Sequence, residues 1–141
     1  MKSVLFLCTG NSCRSQMAEG FVRALHKDHL VPFSAGIERH GMNPQAVEVM
    51  QELGIDLLQQ RSKTIDQLPD LTFDLVVTVC DHASEVCPVF PGVGRVVHQS
   101  FPDPPKMAEG LSDRQEILEC YRSVRDQIKS YVEELPLEFD S

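Results

Sequence analysis

Cys8-Thr9-Gly10-Asn11-Ser12-Cys13-Arg14-Ser15 is the stretch whose reading decides the fold. An apolar run at residues 4–7 precedes it and reads as a short buried strand. Residues 16–25 follow and read as a helix with Met17, Phe21 and Leu25 on one face. The stretch is therefore a strand-to-helix loop that begins with Cys and ends Arg-Ser. Such a loop turns successive backbone N–H groups inward, here those of Thr9 to Ser15, and the helix N-terminus adds positive potential. The result is a concave anion site. Gly10 and Asn11 suit it because both tolerate positive φ. Arg14 would grip two oxygens of a tetrahedral oxyanion through its planar fork. Cys8 stands at the loop mouth, where the same field favours the thiolate. A thiolate aimed at a bound oxyanion is a nucleophile. The competing reading is a strand-end loop with an ordinary buried cysteine, and the placement of Gly10, Asn11 and Ser15 between strand and helix argues against it. Cys13 reads as a small packing residue rather than a second nucleophile.

Outward from the loop, the chain has 141 residues, enough for a single domain (1–141) with a real core. Its net charge of −8 argues against nucleic acid or an anionic membrane as a partner, so anion binding must come from local design at the loop. No charged-then-apolar leader or membrane-length apolar run is present. A soluble, cytoplasmic monomer is the expectation. Five cysteines at uneven spacings do not suggest a secreted disulfide scaffold. They read as thiols of a reducing compartment, some of them reactive.

Strand-like and helix-like pieces alternate. Residues 30–35 read as a second strand ended by Gly36. Pro44 opens a second helix over residues 45–53, stopped by Gly54. Residues 65–68 read as a short helical turn, residues 73–79 as the clearest strand and residues 95–98 as the last. Ser112 is the expected cap of a final helix reaching residue 135, with Ile117, Tyr121, Val124, Ile128 and Val132 in one stripe. This alternation predicts an α/β fold, a four-stranded parallel sheet flanked by helices on both faces with right-handed crossovers. The ligand site then belongs at the carboxyl ends of the strands, where Cys8, Cys80 and the loop after His98 all fall.

Cys80 ends the strongest strand, and Cys87 follows seven residues on. The spacing fits neither a CxxC redox motif nor common zinc-ligand spacings, and no metal site is expected. A helix over the seven residues would hold the two Cα atoms about 10 Å apart. A disulfide needs them within about 7 Å. Linking Cys80 to Cys87 would therefore require that segment to unwind. Asp103, in Phe101-Pro102-Asp103-Pro104-Pro105, is held by flanking prolines in an extended presentation. It could serve as a general acid for a departing oxygen, or be a plain turn residue. His26, His29 and His40 read as surface residues. For His82 and His98 a solvent-facing or packed role is favoured, and Cys120 reads as inert core.

The loop continuing through Gln16-Met17-Ala18-Glu19-Gly20, the Cys80/Cys87 pair and the Asp103-Pro104 loop together resemble thioredoxin-coupled arsenate reductases, which share the fold of low-molecular-weight protein tyrosine phosphatases. The likeness runs over essentially the whole chain. It implies that Cys8 attacks arsenate held by the loop amides and Arg14, with Asp103 protonating the leaving oxygen. It further implies a Cys8–Cys80 disulfide passed on as Cys80–Cys87, which external thioredoxin reduces, with no bound cofactor. Ser15 would hydrogen-bond the Cys8 thiolate and Asn11 would brace the loop. Some such reductases bind potassium at residues matching Asn11, Glu19 and Ser34. Here Lys63 falls where a further carboxylate would stand, so Lys63 is expected to pair with Glu19 in place of the cation. The alternatives are a low-molecular-weight tyrosine phosphatase using Cys8, Arg14 and Asp103 without a relay, and a non-catalytic oxyanion-binding redox sensor. Against the phosphatase, the acid is followed by Pro104 and Pro105 rather than by tyrosines, and Tyr121 and Tyr131 lie in the final helix.

Overall fold

The computed structural model of the chain describes residues 2–69, 72–80 and 95–135. Four parallel strands carry it: β1 (Lys2–Cys8), β2 (Leu30–Gly36), β3 (Leu75–Thr78) and β4 (Arg95–His98), in the spatial order β2-β1-β3-β4. β1 is central because residues 4–7 are apolar on both faces, as a strand covered on both sides requires, and all four are fully buried. Its register aligns Cys8 with Gly36 of β2 and Leu7 with Thr78 of β3. Strand ends that carry chemistry therefore meet at one edge of the sheet.

Helical cover is unequal on the two faces. α1 (Arg14–Leu25), α2 (Pro44–Gln51) and α4 (Arg114–Glu133) share one core with Val4, Phe6, Leu75 and Val77, filled by Met17, Phe21, Met50, Val124 and Ile128. The opposite face, Leu5, Leu7 and Val76, packs against Phe33, Phe73 and a 3₁₀ turn at Ile65–Gln67. The α4 stripe buries Tyr121, Val124, Ile128 and Val132, with Ile117 half-buried at its start.

Several boundaries moved from the sequence expectation, each for a local reason. α4 is capped by Asp113, whose carboxylate accepts from the Glu116 N–H, rather than by Ser112. α2 stops at Gln51, two residues early, and Gly54 at φ +77° completes the turn that follows. β3 keeps Leu75–Thr78, and Val79 still donates its N–H to Leu7 O at 2.9 Å. Pro104 and Pro105 do not extend the chain. They open a four-residue helical turn, α3 (Pro104–Met107), with extended Asp103 just before it, because proline's fixed φ suits a first helical turn.

Candidate active site

The loop after β1 wraps a cavity of about 230 Å³ lined by Cys8, Thr9, Gly10, Ser12, Cys13, Arg14, His40, Asp103 and Pro105. Asn11 adopts φ +48°, the only non-glycine positive φ among the described residues. Four contacts hold it there. Its Oδ1 accepts from the Lys63 N–H (2.8 Å) and from Gln16 Nε2 (3.0 Å), its backbone O accepts from Gln16 Nε2 (3.1 Å), and its Nδ2 donates to Ser15 Oγ (2.9 Å). Gln16 is wholly buried and also reaches Arg61 O at 3.0 Å, while Ser62 Oγ donates to Gly10 O at 3.1 Å. The connection at residues 60–64 thus forms the underside of the loop.

Gly36 makes that wrapping possible. A Cβ there would lie 2.6 Å from Thr9 O and 2.9 Å from both Asn11 N and Cys8 O. These are backbone atoms that cannot swing aside, so the loop runs over β2 only where a side chain is missing.

The chemistry-bearing side chains converge on this cavity. Cys8 is a free thiol, almost wholly buried, with Ser15 Oγ 2.9 Å from its Sγ. Arg14 is buried, donates through Nη1 to Phe101 O at 3.2 Å and places Nη2 3.8 Å from Asp103 Oδ1. The guanidinium is thereby pinned to the segment that carries the proposed acid, whose side chain is about a third exposed (31 %). Cys13 is also free and buried. Burial, and then the neighbouring Cys8, push its thiol far above the ordinary value, so it stays protonated at neutral pH.

Cys80 is fully buried two residues beyond β3 and is disulfide-bonded, whereas Cys8, Cys13 and Cys120 are free. Cys87 and His82 lie outside the described residues. Cys120 is half-buried against the main core. His98 shares a short hydrogen bond with Thr78 Oγ1 at the end of the sheet. Lys63 Nζ lies 3.7 Å from Glu19 Oε1, which also accepts from Ser34 Oγ at 2.6 Å, and Arg23 Nη1 lies 3.7 Å from Glu19 Oε2.

Sequence reading missed four contributors. Gln16 gave no periodic signal because it works by orienting Asn11 from within a helix. Ser62 acts through a loop that only tertiary contact brings near. Asn43 caps α2, takes Ser12 O with its N–H at 3.0 Å and donates to Tyr121 Oη at 3.1 Å, so it ties the loop to two helices. His40, assigned to the surface, is half exposed yet lines the cavity.

A strand-end loop of this build and an acid-bearing turn beside it define a class. The chain belongs to the low molecular weight phosphotyrosine protein phosphatase family, whose model matches residues 3–139. Within that family it is similar to proteins named arsenate reductase. One from Halalkalibacterium halodurans is 52 % identical over 127 residues, 90 % of this chain and 89 % of the relative. A solved arsenate reductase in its phosphate-binding state superposes with a TM-score of 0.78 at 33 % identity over 99 % of both chains. A low molecular weight protein tyrosine phosphatase from T. tengcongensis superposes at 0.73 with 26 % identity, over 98 % of this chain and 99 % of that one.

Proposed function

We propose that the protein reduces arsenate to arsenite through a relay of three thiols, as an arsenic-detoxifying enzyme of the cytoplasm regenerated by thioredoxin. One observation carries the reading: Cys8 is a free thiol in the oxyanion cavity while Cys80, at the neighbouring strand end, is disulfide-bonded. A phosphatase needs the first cysteine and has no use for the second. The names of the similar proteins support the same reading.

The loop amides and Arg14 hold arsenate with arsenic facing Cys8. The Cys8 thiolate, hydrogen-bonded by Ser15, attacks arsenic, and an oxygen leaves as water with a proton from Asp103. Cys80 as thiolate then attacks Cys8 Sγ. The sulfur–arsenic bond breaks with its electron pair retained by arsenic, which leaves as arsenite, and a Cys8–Cys80 disulfide forms. Cys87 attacks Cys80, frees Cys8 and leaves a Cys80–Cys87 disulfide. The thioredoxin dithiol supplies the two electrons that restore the chain. Every step is attack by a thiolate, first on arsenic and then on sulfur, and the relay calls on neither a metal nor a bound organic cofactor.

The phosphatase reading has the family relation in its favour. Against it stands the wall of the cavity. Tyr121 is buried and hydrogen-bonded to Asn43, and Tyr131 is packed edge-on against Phe101 at 6.1 Å. Among the described residues, no phenyl, phenol or indole ring lines the cavity to stack on an aryl ester.

The deciding experiment follows NADPH consumption with thioredoxin and thioredoxin reductase, with and without arsenate, for the wild type and Cys87→Ser. Arsenate-dependent turnover that is lost in the variant is the expected result. Absence of that turnover, with steady hydrolysis of an aryl phosphate that survives the mutation, would identify a phosphatase instead.

A further inference from the structure

His40 and Glu38 form a pair on the rim of the cavity to which the relay assigns no task. Their segment runs along the loop, with the Glu38 N–H donating to Thr9 O and the His40 N–H to Gly10 O, each at 3.0 Å. The imidazole lies directly on Gly10. A Cβ at that glycine would fall 2.1 Å from His40 Nδ1 and 2.7 Å from Cγ, so Gly10 is the gap that seats the ring. On its other side His40 Nε2 meets Glu38 Oε2 at 2.6 Å, with side-chain exposures of 51 % and 65 %. A histidine left on the surface by chance has no reason to occupy a notch in the loop backbone.

The tautomer follows from the partner. A carboxylate only accepts, so Nε2 carries a hydrogen in this pair. Nδ1 is the ring atom nearest Gly10. With both nitrogens protonated the ring adds a cation to the cavity wall, and with one protonated it is neutral. Among the described residues, the other titratable or charged groups around it are Glu38 from its own segment and, lining the same cavity, Cys8, Cys13 and Arg14 from the loop and Asp103 from the turn before α3. Asp103 lies 3.8 Å from Arg14, in a protein of net charge −8, so Arg14 is not the only charge the anion meets.

We propose that His40 is a substrate-recognition residue, whose imidazole, seated on Gly10 and held by Glu38, meets a bare tetrahedral oxyanion in the cavity and in its cationic form adds to the charge that draws the anion in. The proposal rests on the oxyanion reading of the site. It also gives Gly10 a duty, as the seat of the ring. Because both side chains reach solvent, the effect is modest and weakens with added salt.

The test is calorimetric titration of inorganic phosphate into the thiol-reduced chain, wild type, His40→Gln and Glu38→Gln, at about pH 6 and about pH 8.5, since imidazoles as a class are charged in acid and neutral in base. His40→Gln is expected to weaken phosphate binding about threefold or more at the lower pH and less than about twofold at the higher. Glu38→Gln is expected to weaken it about twofold at the lower pH, by loss of the carboxylate that holds the ring in place. An equal penalty for His40→Gln at both pH values would mean that the ring merely packs on Gly10, and would overturn the proposal. A penalty below about twofold throughout would overturn it as well. Failure of the wild type to bind phosphate at either pH would defeat this inference together with the oxyanion site. The expected pattern in an enzyme that does not turn over arsenate would leave the role of His40 standing and defeat the reductase reading alone.

Discussion

Ser15 Oγ lies 2.9 Å from Cys8 Sγ, across seven residues of chain, and once Cys8 is a thiolate only the serine hydroxyl can donate between them. Asn11 Nδ2 donates to the same oxygen at 2.9 Å, which leaves the serine proton free to point towards Cys8. Asn11 itself cannot flip, because its Oδ1 is held by the Lys63 N–H at 2.8 Å and by Gln16 at 3.0 Å. A chain of donors thus runs from the connection after α2 to the nucleophile. Ser15→Ala should slow iodoacetamide alkylation of Cys8 near neutral pH by about tenfold, the worth of one charge-assisted hydrogen bond of about 1.5 kcal/mol. Peptide mass spectrometry resolves Cys8 from the other thiols. An unchanged alkylation rate would show that Ser15 does not support the thiolate.

Gly36→Ala tests the seat of the loop. The new methyl would meet three backbone atoms within 3 Å, and overpacking of this kind costs about 1–3 kcal/mol. Urea unfolding should show that loss, and phosphate binding should fall with it as the loop is displaced. Gly41→Ala provides a comparison, since no atom lies within 4 Å of its would-be Cβ and only the positive φ opposes the change.

Glu19 is ringed by Lys63, Arg23 and Ser34. If the Lys63 ammonium beside Glu19 stands in for a monovalent cation, as the family resemblance implies, turnover should be the same within about twofold in potassium and sodium chloride of equal ionic strength, where screening is equal. Lys63→Ala should destabilise the fold by about 1–2 kcal/mol, less than for a fully buried pair, because Arg23 remains beside the carboxylate. A marked rate increase on exchanging sodium for potassium in the wild type would disprove the substitution of cation by lysine.

Away from the site, Glu52 joins α2 to α4 by accepting from Arg122 Nη2 at 2.7 Å and Arg125 Nη1 at 2.8 Å. The hydrogen bond from Arg122 chiefly, with Arg125 adding to it against the opposing effect of burial, holds the Glu52 carboxyl at about 2, below the usual 4.5. A depressed folded-state value contributes stability that is fully present above about 4.5 and is lost as pH falls towards about 2. Glu52→Gln should therefore cost about 1 kcal/mol at neutral pH, the small value set by solvent screening of a part-exposed group. That difference should shrink steadily in acid, and a cost independent of pH would point to lost packing instead of lost charge.

The sequence by itself determined the strand–loop–helix unit at residues 4–25, the parallel alternation and the convergence of Cys8, Arg14, Cys80 and Asp103 at one end of the sheet. Those features are local. Apolar period, the φ freedom of Asn11 and the fixed φ of proline act within a few residues and leave a pattern that can be read, whereas Gly10, expected to need the same freedom, keeps an ordinary φ and is required for the space it leaves. The Cys80/Cys87 pairing is a reading of the sequence whose second member lies outside the described residues.

What tertiary structure alone decided is how the loop is held and what overlooks it. Gly36 admits the loop backbone, Gln16 and the Lys63 N–H orient Asn11, Asn43 ties the loop to Tyr121, and His40 sits in the notch of Gly10. None of these has a periodic or motif signature, because each depends on two segments distant in sequence coming within hydrogen-bond or van der Waals range. Where the α3 turn begins is of the same kind. Two prolines permit both an extended chain and a first helical turn, and the hydrogen bond from the Met107 N–H to Asp103 O, with Pro104 buried against the fold, selected the turn.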